Sequence, residues 1–86
     1  MTREQIFAVI QSQIETIIEG AKGQEIRETH SMRDFGADSL QIVEVVSRSM
    51  KQLKIKVPRT KLMDAHNLKE LLDLFEQAAH AQVPQS

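Results

Sequence analysis

Residues 35–53 read Phe35-Gly36-Ala37-Asp38-Ser39-Leu40-Gln41-Ile42-Val43-Glu44-Val45-Val46-Ser47-Arg48-Ser49-Met50-Lys51-Gln52-Leu53, a glycine-hinged loop running into a strongly apolar segment. Asp is a preferred helix N-cap, so Asp38 predicts a helix that begins at Ser39 and reaches about Leu53. Projected at about 100° per residue, Ile42, Val45, Val46, Ser49 and Leu53 form one stripe. Leu40, Val43, Ser47 and Met50 form a second, about a third of a turn or more away. One helix cannot easily bury both stripes in a small protein. The first is assigned to the core and the second, which starts beside Ser39, to a partly exposed docking surface, because contiguous exposed apolar area marks an interaction site. The alternative is a central helix with both stripes in the core. Ser39 itself stands where free backbone N–H groups and the positive end of the helix dipole favour a phosphate, which makes its hydroxyl a candidate attachment point.

Working outward, Thr2 with Gln5 forms a capping-box pattern, and Ile6, Val9, Ile10, Ile14, Ile17 and Ile18 follow at helical spacing. A first helix from about Arg3 to Glu19 is expected, ended by Gly20 and Gly23. Residues from Gly20 to Asp38 show no clear periodicity, and a connection this long is uncommon in a small domain unless it is functional or pinned down. Ile26, Met32 and Phe35 are the expected pins. Beyond Leu53, Ile55 and Val57 precede Pro58, which predicts a short extended link and then a brief helical turn around Thr60 to Met63. Asn67 caps a last helix whose apolar face is Leu68, Leu71, Leu72, Phe75 and Ala79. The stretch from Ala81 to Ser86, with Pro84, reads as a frayed tail, leaving residues 1–80 as one domain. Three long helices and one short one, with a long first loop, give an all-α fold: an antiparallel four-helix bundle.

The chain's 86 residues allow one core, and with three Phe and neither Trp nor Tyr that core must be aliphatic. With no Cys, disulfides and Cys-based metal sites are excluded, and any thiol chemistry needs a sulfur supplied by a prosthetic group. The N-terminus opens on Thr2, Arg3, Glu4 and Gln5 rather than an apolar signal core, and no apolar run approaches membrane-spanning length, so a cytoplasmic protein is expected. The Met1 start and short ends favour a discrete protein over a segment cut from a synthase. A net charge of −1 hides six basic residues between Arg48 and Lys61, with no acid among them. They alternate with apolar core positions and read as a solvated face, not a nucleic-acid site, since the acidic remainder would repel phosphates. His30, His66 and His80 lack companions at ligand spacing, so no metal site is expected. Ser39 also lacks the Gly-x-Ser-x-Gly context of a hydrolase nucleophile, so the chain is not expected to be an enzyme.

The loop Phe35-Gly36-Ala37-Asp38-Ser39-Leu40 is followed by Glu44 five residues after the serine, Val57-Pro58 beginning eighteen after it, and the Asn67-Leu68 helix start. In this frame, from about Arg3 to Ala78, the chain resembles the acyl carrier proteins, the phosphopantetheine-bearing helical domains of fatty acid and polyketide synthesis. The resemblance implies that a phosphopantetheinyl transferase moves the arm from coenzyme A onto Ser39, with Asp38 both capping the helix and helping the transferase hold its metal and phosphate groups. It implies acyl groups carried as thioesters on the arm, and a recognition face of Leu40, Val43, Glu44, Ser47, Met50 and Lys51 read by an acyltransferase, a ketosynthase or other acyl-processing enzymes. A monomer that binds neither nucleic acid nor membrane fits the same resemblance. The chain departs from the carriers of bacterial fatty acid synthesis, whose second helix is strongly acidic. Here Gln41, Ser47, Met50 and Lys51 stand where acids are frequent, and Glu44 is the only acid between Ser39 and Lys61. A dedicated polyketide or other secondary-metabolite pathway is therefore expected. The rival readings are a peptidyl or aminoacyl carrier of nonribosomal synthesis, which commonly has Gly-Gly-His/Asp-Ser where this chain has Gly36-Ala37-Asp38-Ser39, and an unmodified helical interaction module.

Overall fold

The computed structural model describes residues 1–81. Among these described residues there are four α-helices: α1 (Arg3–Ile17), α2 (Ser39–Leu53), the short α3 (Arg59–Leu62) and α4 (Leu68–Ala81). Two 3-10 turns, Glu19–Ala21 and Met32–Phe35, lie in the long connection between α1 and α2. Among the described residues there is no strand. The all-α bundle is the one the apolar spacing predicts. Of the expected tail, Ala81 is the last residue of α4, and residues 82–86 lie outside the described residues.

The helices form where local signals start them. At α1, Thr2 Oγ1 accepts from the Gln5 N–H and the Gln5 side chain accepts from the Thr2 N–H, which satisfies two otherwise orphan donors. Ile6, Ile10 and Ile14 are then buried at a spacing of four, and Ile18 continues the row past the helix end. α4 buries Leu68, Leu71, Leu72 and Phe75, while Ala79 is half-buried. Fully burying one such aliphatic side chain stabilises the fold by about 1.5–3 kcal/mol. α1 packs against both α2 and α4 and so organises the core.

α1 ends at Ile17, two residues before the expected limit, and Gly20 does not end it. Gly20 sits inside the 3-10 turn that follows, where a Cβ would lie 2.2 Å from the Phe35 carbonyl oxygen. Its absent side chain lets the two 3-10 turns touch. Of the expected pins, Ile26 and Met32 are buried and Phe35 is half-buried, edge-on to the His30 ring with centroids 5.2 Å apart. The loop is also tied to α4, whose Leu68 and Lys69 N–H groups donate to the carbonyls of His30 and Glu28 at 2.9 and 2.8 Å. Ile55 and Val57 are buried and anchor the extended link, as their alternation before Pro58 predicts.

Arg3 is a fastening point that local sequence patterns do not announce. Its guanidinium reaches Glu28 in the loop at 2.6 Å and Asp73 on α4 at 2.7 Å, and pairs with Glu76 as well. The hydrogen bond to Glu28, then that to Glu76, raises the Arg3 pKa further above its ordinary value. One side chain thus joins the start of α1 to the loop and to α4.

Candidate functional site

The turn before α2 is built to present Ser39. Gly36 takes a left-handed conformation, φ 84°, and closes the Met32–Phe35 turn by donating to the Arg33 carbonyl. An L side chain is disfavoured there. Buried Ala37 anchors the next position, and the chain enters α2 through extended Asp38. Asp38 Oδ1 accepts from the Gln41 N–H at 2.8 Å, and Gln41 Oε1 accepts from the Asp38 N–H at 3.0 Å. This is a capping box with Asp in place of Ser or Thr. Gln41 also donates from Nε2 to the Ile17 carbonyl at 3.5 Å, so the same residue helps satisfy the end of α1.

Ser39 is the first residue of α2 and is exposed. Its Oγ accepts a hydrogen bond from Arg33 Nη2 at 3.3 Å. The bundle leaves its hydroxyl open to solvent. The Asp38 carboxylate is engaged in capping, and among the described residues no base is hydrogen-bonded to the Ser39 hydroxyl.

The two stripes of α2 separate as expected, with one adjustment. Val45, Val46 and Ser49 are buried, Ile42 and Leu53 half-buried. Ser49 satisfies its hydroxyl by donating to the Val45 carbonyl at 2.7 Å. On the other face Leu40 is 77% exposed and Val43 47%, and Ser47 and Lys51 are exposed. Glu44 is half-exposed and pairs with Arg48 at 3.3 Å. Met50 differs from its stripe: it is half-buried, packs against the core and accepts the Val57 N–H on its sulfur at 3.4 Å. The extended link turns that side chain inward, and it forms a wall rather than an outer surface.

What it walls is a groove of about 490 Å³ that begins at Ser39 and runs between α2 and α3, with Ile42, Val46 and Met50 on one side and Leu62 and Met63 on the other. A second cavity, about 400 Å³, continues toward Leu68 and Leu71 of α4 and shares Arg33, Ile42, Val46, Leu62 and Met63 with the first. Sequence reading missed this groove because its walls come from separate helices. Arg33 and Arg59 stand on its lining as well. Of the histidines, His30 accepts the Arg27 N–H on Nδ1 at 3.1 Å, while His66 and His80 are exposed. Among the described residues no three metal-ligating side chains come together.

A small helical bundle that holds an open serine at the capped start of its second long helix, beside an apolar groove, has the form of a carrier domain. Residues 8–75 match the family described as "phosphopantetheine attachment site", and the chain belongs to that family. It is similar to the polyketide biosynthesis acyl-carrier-protein AcpK of Bacillus subtilis (strain 168), with 26% identity over 75 residues that cover 87% of this chain and 92% of that one. Its fold is that of an acyl carrier in the crystal structure of the curacin biosynthetic pathway HMG synthase in complex with acetyl donor-ACP, with a TM-score of 0.79, 32% identity and coverage of 92% of this chain and 99% of the other. The protein is a carrier, not an enzyme, and its prosthetic group is covalent phosphopantetheine.

The residues present fit that group. An accessible hydroxyl, a guanidinium donor beside it and an apolar groove leading away match a phosphodiester followed by a long, flexible limb. When attached, the arm supplies the thiol on which acyl groups are held, which this Cys-free chain cannot supply itself.

Proposed function

We propose that Ser39 bears the arm and that the open face of α2 addresses the carrier to its enzymes. The observation that carries this reading is the exposed Ser39 hydroxyl at the first position of a capped 15-residue helix, inside the stretch matched to the family. Asp38 has a double role, capping α2 and assisting a phosphopantetheinyl transferase in arm attachment. Leu40, Val43, Glu44, Ser47 and Lys51 form the docking face, with Met50 contributing from the groove wall.

The pathway is polyketide or other secondary-metabolite biosynthesis, a reading supported by the names of both similar carriers. Similarity to an acetyl donor carrier extends it to a short acyl cargo handed to a synthase of the HMG synthase kind. Partner enzymes present a neutral or acidic docking surface, because the region after Ser39 carries Arg48, Lys51, Lys54, Lys56, Arg59 and Lys61 against Glu44 alone. The carrier acts as a monomer in the cytoplasm. Among the described residues no helix is long and apolar enough to cross a membrane.

Incubation with coenzyme A and a promiscuous phosphopantetheinyl transferase, followed by intact-mass measurement, tests the attachment. The protein should gain the mass of one phosphopantetheine, and Ser39→Ala should gain none. A gain that survives Ser39→Ala refutes Ser39 as the site.

A further inference from the structure

Among the described residues Arg33 is the one charged side chain whose hydrogen bond falls on Ser39. Among these residues it has no carboxylate within ion-pair distance, whereas Arg3 has three and Arg27 and Arg48 one each; Arg59, also on the groove lining, has none but makes no hydrogen bond to Ser39. Its backbone is fixed by the Met32–Phe35 turn, where the Gly36 N–H donates to the Arg33 carbonyl at 3.0 Å. Next to Ser39 stands the Asp38 carboxylate, which would repel a phosphodiester on that hydroxyl at close range. Arg33 also lies on the lining of both connected cavities, at the side where the groove meets Ser39.

From this arrangement, and resting on Ser39 as the attachment residue, we propose that Arg33 is a positioning residue. Its guanidinium pairs with the phosphodiester, offsets the repulsion from Asp38 and directs the arm toward the α2–α3 groove rather than out past Leu40. A planar guanidinium can offer two N–H donors to two phosphate oxygens, a geometry that an ammonium cannot reproduce. The pair is solvent-exposed, so salt weakens it and the arm remains releasable when an enzyme docks.

The test uses the holo protein loaded with a fluorescent pantetheine arm from a coumarin–coenzyme A conjugate. Arm anisotropy is measured across ionic strength for the wild type, R33Q and R33K, with Arg side-chain NMR of the unlabelled apo and holo forms alongside. In the wild type at low salt the Arg33 Nε–H resonance should move on conversion to the holo form. R33Q should reduce the ratio of groove-held to free arm about two- to fivefold, the range expected of an exposed charge pair. High salt should bring the wild type to the R33Q value, and R33K should fall between. Complete loading by intact mass, with anisotropy identical in the wild type and R33Q at every salt concentration and an unmoved Arg33 resonance, overturns the inference alone. A protein that takes no arm on Ser39 overturns the attachment reading and this inference with it.

Discussion

Val43 and Val45 lie two residues apart on α2 and have the same side chain, yet Val43 is 47% exposed and Val45 0%. What differs is the cover each face receives. Val45 points into the core that α1 closes, whereas the face of Val43 looks toward α3, a single turn of four residues with no buried side chain of its own. A longer third helix could have covered Leu40 and Val43. Leaving large apolar side chains open forgoes up to roughly 1.5–3 kcal/mol each. In a domain whose total stability is about 4–13 kcal/mol, that is a substantial sacrifice. Under the proposed docking role, a carrier recognised by several enzymes in turn would gain contact surface in exchange.

The largest effect should come from placing a charge on the closed face. Val45→Glu buries a carboxylate without a partner and should cost roughly 4 kcal/mol or more, enough to abolish a cooperative thermal transition. Val46→Glu should be milder, because Val46 is 6% exposed and borders the groove, where a carboxylate can reach water. Equal loss at the two positions, seen by circular dichroism melts, would mean the groove is closed in solution.

Asp38→Ala acts where both faces begin. Loss of the capping box should cost about 1 kcal/mol, lowering Tm by about 4–8 °C in a domain of this size. Under the proposed double role it should also slow arm attachment by more than the lost folded fraction accounts for. Asp38→Ser keeps a cap, so stability should return while attachment stays slow. Recovery of both would leave Asp38 a cap and nothing more.

Val43→Glu puts the same charge on the open face. Its stability should stay within about 0.5 kcal/mol of the wild type, as for other exposed substitutions. Transfer by a partner enzyme should nevertheless lose about tenfold in kcat/KM, equivalent to about 1.4 kcal/mol of lost docking. A melt as damaged as that of Val45→Glu would erase the distinction between the faces.

The parts of this fold that could be read from sequence are those decided within a few residues. Thr2 with Gln5, Asp38 with Gln41 and Asn67 with Glu70 each meet across three positions, and each starts a helix in the structure. The core stripes were legible for the same reason, since helical geometry fixes which positions share a face. What escaped depends on contacts between distant segments. Arg3 finds partners 25, 70 and 73 residues away. Gly20 serves a close approach to Phe35, not a helix stop, which only the packing of two turns reveals. Met50 turns inward because the Val57 N–H and the core receive it. The loop before Ser39 was legible as a motif, but the Arg33 contact on Ser39 depends on how the Met32–Phe35 turn folds back.

The smallest change in stability is expected from Glu44→Gln, which probes the charge of the open face. Glu44 and Arg48 pair at 3.3 Å with both side chains well exposed, an i,i+4 arrangement that contributes about 0.3–0.5 kcal/mol. Its loss should hardly shift Tm. Glu44 is, however, the sole acid between Ser39 and Lys61, so its removal leaves that stretch uniformly basic. Against a partner with an acidic docking surface, association measured by stopped flow should quicken at low salt, and the gain should fade as ionic strength shortens the reach of the charges. Slower association at low salt would show instead that the partner reads Glu44 with a base of its own, and the proposed complementarity would have to be reversed.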